Sequence, residues 1–215
     1  MRSIIKAEKP DILVEKEIEW TQELMNYVTL NTKIPDSVKA RYRHHEIKDA
    51  LLTETKNKCA YCESKITHID HGDIEHIEPK SKVPNKTFMW SNLTIGCTKC
   101  NQNKLDYFDE NLPLINPYID TPEDKIKFVG PIPFPKDGDV RADLTIRLLK
   151  LDRPELIERR IDHINLLKPL IKEYQITDNP TLRRMVLEDL LKYTKPDKEF
   201  TLMADHLLFD LAITG

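Results

Sequence analysis

The sequence has no apolar run long enough to cross a membrane, and glycine is scarce, with 5 residues in 215. No stretch resembles a glycine-rich phosphate-binding loop. This chain is therefore not expected to bind ATP through such a loop, and any ATP dependence is expected to come from another chain. The first residues, Met1 to Lys6, reach charged side chains too early for a secretory signal, which predicts a cytoplasmic location and no membrane contact. The composition, 40% hydrophobic and 32% charged, is typical of a soluble globular protein.

An overall excess of basic charge is also lacking, because 36 Asp and Glu outnumber 33 Lys and Arg and the formal net charge is −3. Their distribution is uneven. Residues 37–104 carry 12 Lys and Arg against 8 Asp and Glu, whereas residues 1–36 carry 5 against 7 and residues 105–215 carry 16 against 21. Basic charge is needed only where phosphates dock, so this excess gives mild support for a nucleic-acid site in residues 37–104. Ordinary charge fluctuation is the alternative.

Cysteine is limited to two pairs, Cys59-Ala-Tyr-Cys62 and Cys97-Thr-Lys-Cys100, separated by 34 residues. In a reducing compartment such pairs bind metal more readily than they form disulfides. Four thiolates form a closed tetrahedral zinc site with no open position, which predicts a structural Zn²⁺. A redox role for one pair is less favoured, since two pairs coexist without a thioredoxin-like βαβ pattern. The pairs alone do not indicate an enzyme.

Between the pairs lies the stretch Asp73-Ile-Glu-His-Ile-Glu-Pro-Lys80. If it is a strand, Glu75 and His76 point to opposite faces, so one can bind a metal while the other acts as a base. An adjacent acid and histidine are common in proteins, and by themselves they indicate little. Asn92-Leu93 follows, and Asn101 and Lys104 come directly after the second cysteine pair.

The order of these motifs resembles an HNH endonuclease of the zinc-containing kind. The resemblance implies two antiparallel strands and a helix around one Mg²⁺ or Mn²⁺ ion. It assigns His76 as the general base, Asn92 as the residue that orients it, and Glu75 and Asn101 as metal ligands. The family more often has Asp and His where this chain has Glu75 and Asn101, but oxygen ligands are retained. Asn103 is an alternative ligand to Asn101 if the helix is rotated.

Four lysines near these motifs are candidates for binding the phosphates that flank the cleaved bond: Lys80, Lys82, Lys99 and Lys104. They could equally form a solvated face. A zinc-stabilised module that binds nucleic acid or protein without catalysis is the alternative to a nuclease. The substrate is nucleic acid, with DNA and RNA both open, and its selection is expected to depend on loops 63–73 and 81–90.

The predicted fold is α+β and mainly α-helical, with a ββα-metal core on a four-cysteine zinc knuckle. Four segments are expected: helices in 1–55, the nuclease core in 56–110, proline-rich loops and short strands in 111–140, and helices in 141–215. The periodicity predicts helices over 10–31 and from Asp36 or Ser37 to about Thr55, and a hairpin around residues 127–129. Helices are also expected near Cys97, after Arg141, from Pro154, from Pro180 and over 200–213.

Longer similarities lie in the opening Met1-Arg-Ser-Ile-Ile-Lys6, in residues 74–81, and in Leu149-Lys-Leu-Asp-Arg-Pro-Glu-Leu-Ile-Glu-Arg-Arg160. They resemble the HNH proteins of Septu antiphage systems, the PtuB family, which also occurs beside retrons. This resemblance implies a bacterial defence role and a hetero-oligomer with the ATPase PtuA, with retron components as further possible partners. The N-terminal helix and residues 141–215 are candidate docking surfaces; packing against the knuckle is the alternative.

Overall fold

The computed structural model describes residues 1–66 and 72–213. It is mainly α-helical with two small antiparallel sheets, which confirms the predicted fold class. Within the described residues, no helix combines the length and apolar character needed to span a membrane. Residues 67–71, part of the loop predicted to influence substrate selection, lie outside the described residues.

The elements follow one another in this order: α1 (Asp11–Thr29), α2 (Asp36–Lys39), α3 (His45–Glu54), β1 (Asp73–His76), β2 (Leu93–Gly96), α4 (Thr98–Lys104), α5 (Pro122–Lys125), β3 (Ile126–Val129), β4 (Ile132–Pro135), α6 (Val140–Leu148), α7 (Pro154–Ile176), α8 (Pro180–Leu191) and α9 (Thr201–Asp210).

A ββα unit forms the centre of the molecule. Strand β1 pairs antiparallel with β2, and Glu75 is opposite Thr94 in the register. Helix α4 follows β2 after Cys97, which is its N-cap residue, and packs on β1. All four residues of β2 are buried, as expected for a strand covered on both faces. This arrangement confirms the predicted hairpin and helix.

The predicted helix from Asp36 or Ser37 to about Thr55 is wrong as one element, because the chain breaks it into α2, a short 3₁₀ turn over Arg41–Arg43, and α3. His44 has an extended backbone, with φ −55° and ψ 141°, which a helix cannot contain. The break turns Tyr42 inwards, where its ring is 5% exposed. The apolar residues of 36–55 keep a helical spacing across this break, so the sequence pattern does not reveal it.

The C-terminal helices begin where the sequence predicts. Pro154 occupies the first turn of α7, and Asn179 caps α8 by accepting hydrogen bonds from the backbone N–H groups of Thr181 and Leu182. The predicted hairpin is present as β3 and β4, and α9 packs against β3. A small second core lies between α7, α8 and α9. The main core contains residues from all four predicted segments.

Candidate active site and zinc centre

The four cysteines meet at one point. Their sulfur atoms all lie within 4.8 Å of one another, and all four residues are buried. The Sγ atoms of Cys62 and Cys97 are 3.9 Å apart. A tetrahedral ion with Zn–S bonds of about 2.3 Å would separate its sulfurs by about 3.8 Å. The cysteines therefore fit a zinc ion.

The backbone of the first cysteine pair is fixed to strand β2. The N–H of Ala60 donates to the carbonyl oxygen of Ile95 in β2, and the N–H of Cys59 donates to that of Ser64. Glu63 closes the turn with a φ of 64°, and its N–H donates to the carbonyl of Cys59. The knuckle is thus attached to the hairpin that carries the catalytic candidates.

Two arginines lie close to the cysteine cluster. Nη1 of Arg153 is 3.8 Å from Sγ of Cys100, and Arg160, only 1% exposed, donates to the carbonyl oxygens of Leu151 and Pro131. Burial lowers the pKa of Arg160 to about 10, while the negative charge of Cys62 opposes that shift. Four thiolates around Zn²⁺ carry a net charge of −2, so these cations suit such a site.

Polar side chains of β1 and α4 approach each other across the ββα unit. Asp73 and Glu75 share one face of β1, about 7 Å apart along the strand. Nδ2 of Asn101 in α4 lies 3.4 Å from Oδ2 of Asp73, at the exposed end of this face. The Asp73 and Glu75 carboxylates, with the Asn101 amide turned to present its oxygen, would supply the hard oxygen donors that suit Mg²⁺ or Mn²⁺. The alternative ligand Asn103 points elsewhere, because its amide donates to the carbonyl of Leu149.

Lys104 occupies the deep end of the same face. Its ammonium donates to Oε1 of Glu75 and to the carbonyl oxygen of His76, each at 2.8 Å. Burial raises the pKa of Glu75, and the adjacent Lys104 charge opposes this effect. Lys104 is 2% exposed, so it is not part of the exposed basic surface that the sequence suggested. The ammonium thus occupies Oε1 of Glu75, and a metal ion bound to that oxygen would have to displace it.

His76 is held on the opposite side of β1. Its Nε2 lies 3.0 Å from the carbonyl oxygen of Thr87, which can only accept, so Nε2 carries the proton and Nδ1 presents a lone pair. The Tyr42 ring packs edge-on against the imidazole, with ring centroids 4.7 Å apart. Burial and the charge of Lys80 lower the pKa of His76 to about 4. The imidazole is therefore neutral at physiological pH.

Asn92 contacts backbone groups and reaches His76 only indirectly. Its side-chain oxygen accepts from the N–H of Glu78, and its amide donates to the carbonyl oxygens of Glu78 and Lys86. Lys86 precedes Thr87, whose carbonyl holds the imidazole. Asn92 thus fixes the loop that positions His76.

The other predicted lysines are exposed and differ in their contacts. Lys80 donates to the hydroxyl of Tyr42, beside His76, and Lys82 forms an ion pair with Asp106. Lys99 lies on the exposed side of α4. Of the three, Lys80 is the one brought next to the imidazole.

Three side chains of this region are absent from the sequence-based prediction: Asp73, Tyr42 and Arg153. Asp73 could have been found, because it lies two residues before Glu75 and a strand repeats its faces every two residues. Tyr42 and Arg153 come from segments far along the chain, and no local pattern signals their contacts.

The comparisons agree with this geometry. Residues 59–106 match the family model of the HNH endonuclease. The chain is 28% identical over 218 residues to the Septu protein PtuB of Bacillus thuringiensis, covering 95% of this chain and 80% of that protein. It is 27% identical over 217 residues to the Septu protein PtuB of Bacillus mycoides strain KBAB4, covering 86% of this chain and 71% of that protein. The predicted resemblance is confirmed: the chain contains an HNH endonuclease domain and is similar to Septu PtuB proteins over most of its length.

Proposed function

We propose that this protein is a metal-dependent endonuclease that hydrolyses phosphodiester bonds in nucleic acid, with His76 as the general base. The observation that carries the proposal is the fixed, neutral imidazole on the strand that also holds Glu75. Because Nε2 is committed to Thr87, Nδ1 is the atom that accepts a proton from the attacking water. Tyr42 and the loop fixed by Asn92 keep the ring in this orientation.

Asp73, Glu75 and Asn101 are the residues that would hold one Mg²⁺ or Mn²⁺ ion. Such an ion supplies positive charge to the scissile phosphate and to the leaving oxygen. Glu75 must be ionised to bind the ion; burial raises its pKa, and the Lys104 ammonium opposes that shift and favours the carboxylate. Lys80, beside the base, suits a flanking phosphate, and Lys82 and Lys99 are further candidates.

The biological role follows from the relatives. Similarity to Septu PtuB proteins supports a role as the nuclease effector of a bacterial antiphage system, acting in the cytoplasm with a PtuA-like ATPase. The N-terminal helix and residues 141–215 remain candidate docking surfaces for that partner, and an association with retron components remains a prediction. The substrate, DNA or RNA, is to be determined by experiment.

The test compares cleavage of phage DNA, plasmid and total tRNA, with and without Mn²⁺, by the wild type and His76→Ala. Cleavage should require the metal and should fall by at least about a hundredfold in the variant, the usual contribution of a general base. Arg184→Ala, at an exposed arginine of α8, is the control and should cleave normally. Full activity of His76→Ala would refute the role of His76. Binding without cleavage in every condition would instead identify a catalytically silent zinc module.

A further inference from the structure

A pocket of about 370 Å³ adjoins the candidate active site. Tyr61 and Lys104, each 2% exposed, form part of its wall. Because Lys104 also donates to Glu75, the pocket and the metal-binding face share a side chain. A nucleotide whose phosphate occupies that face would therefore lie beside the pocket. The volume falls at the lower end of the range for sites that hold one small molecule.

The charges around the pocket disfavour a phosphate inside it. Three carboxylates line it, from Glu78, Asp109 and Glu110. Its cations already have carboxylate partners: Lys86 pairs with Glu78, Lys104 with Glu75, and Arg141 with Asp120. A neutral part of a nucleotide suits this environment better than its anionic part.

The remaining lining is apolar and aromatic. Two aromatic rings, those of Tyr107 and Phe108, follow directly after α4, and further apolar side chains come from Ile77, Leu114 and Ile119. A planar aromatic ring gains about 1–3 kcal/mol by stacking on such side chains, and every nucleobase offers such a face. The apolar lining therefore fits a base.

Tyr61, one of the wall residues, carries a buried polar atom. The hydroxyl of Tyr61 is buried and has no hydrogen-bond partner among residues 1–66 and 72–213. A buried polar group without a partner is costly, and native proteins seldom leave one unless a ligand or water completes it. Because this hydroxyl is closed to solvent, a base in the pocket would reach it only if the ring turned, so it is the apolar lining that favours a base.

The pocket wall is held in place before any ligand binds. Arg141 donates to the carbonyl oxygens of Pro113 and Leu114 and to both carboxylate oxygens of Asp120. The hydroxyl of Tyr107 donates to the carbonyl of Leu112. A preformed wall avoids the ordering cost that binding would otherwise carry.

We propose that this pocket holds one unpaired nucleobase of the substrate strand, next to the cleaved phosphodiester. A base inside a duplex is stacked and paired, so the site should favour single-stranded nucleic acid or an extruded nucleotide. The identity of the ligand rests on the proposed nuclease function. The shape and lining of the pocket do not depend on that function.

The test measures binding of a fluorescent single-stranded oligonucleotide and of its duplex to the full chain, with zinc bound and without added Mg²⁺ or Mn²⁺. The single strand should bind more tightly than the duplex. Phe108→Ala should weaken single-strand binding about tenfold, the loss expected for one stacked base. Tyr107→Leu, which removes the second aromatic ring of the lining, should weaken it severalfold. Phe134→Ala, at an exposed ring of β4, is the matched control and should change binding less than about twofold.

The outcomes separate this proposal from the nuclease proposal. Unchanged single-strand affinity in both Phe108→Ala and Tyr107→Leu would overturn the base pocket, even if the wild type cleaves normally. Tighter binding of free nucleoside monophosphates than of the strand would also overturn it, by assigning the pocket to a soluble nucleotide. Phe108-dependent strand binding by a protein that never cleaves would support the pocket and reject the nuclease.

Discussion

Lys104 and Glu75 form an ion pair with a 2.8 Å contact, in which the two side chains are only 2% and 8% exposed. Removing one partner of such a pair leaves a buried charge without compensation, which is more costly than removing both. We therefore expect Lys104→Met to lower the free energy of unfolding by about 3 kcal/mol. The double variant with Glu75→Gln should lose less than the two single variants added together, with a coupling of about 2 kcal/mol in denaturant titrations.

Lys82→Met is the control for this cycle, because both partners of the Lys82–Asp106 pair are exposed. Its unfolding free energy should stay close to that of the wild type. A strictly additive double variant would show that the buried pair does not stabilise Glu75.

Zinc should be bound at one ion per chain. Cys97→Ser removes one of four ligands, so elemental analysis should show loss of the ion, and circular dichroism should show an earlier thermal transition. Ser64→Ala, which alters only a hydroxyl 3.4 Å from Sγ of Cys62, should keep the metal. Purified wild-type protein without zinc would contradict the assignment.

Arg153 should slow the loss of zinc, because its guanidinium lies 3.8 Å from Sγ of Cys100 and offsets the negative charge of the thiolates. Arg153→Met should release zinc to a chromogenic chelator severalfold faster than the wild type, and Arg153→Lys should restore part of the difference. Arg159→Met is the matched control, since Arg159 binds Glu199 instead. Equal release rates in all four proteins would exclude this role.

Acid should destabilise the protein in part through His76, whose folded-state pKa is lowered from 6.5 to about 4. The unfolded chain takes up the proton first, so the stabilisation is complete above pH 6.5 and is lost as the pH falls towards 4. Between pH 7.5 and pH 5 the wild type should lose about 2 kcal/mol more unfolding free energy than His76→Asn. Parallel losses in the two proteins, measured by urea titration, would show that His76 titrates normally.

Leu105 ends α4 with φ 51° and ψ −131°, a conformation that favours glycine, and its side chain is 72% exposed. Leu105→Gly should therefore raise the free energy of unfolding by about 1 kcal/mol, because it relieves backbone strain and removes few contacts. Leu105→Ala shortens the side chain but keeps the strain, so it should show no such gain. A destabilised glycine variant would indicate an unstrained turn.

The parts of the site that the sequence predicted are those that depend on short spacings. The cysteine pairs, the Glu75-His76 neighbours and the position of Asn101 after Cys100 are all separated by three residues or fewer, so local geometry determines which elements carry them. The ββα order then follows from strand and helix patterns.

The parts of the site that the sequence did not predict depend on packing between distant segments. Tyr42 reaches His76 only because the helical pattern after Asp36 is interrupted, and periodicity did not reveal that interruption. The burial of Lys104 was likewise hidden, since a lysine next to the motif looks the same in sequence whether it faces solvent or Glu75. Long-range contacts of this kind have no local signature.

The hydrogen bond from the N–H of Ala60 to the carbonyl of Ile95 means that the zinc knuckle covers the outer edge of β2. Uncovered strand edges are templates on which other chains can add strands and aggregate. A zinc ion bound by the cysteines would therefore be expected to guard against self-association, because a chain without it would uncover an apolar strand whose residues are otherwise buried.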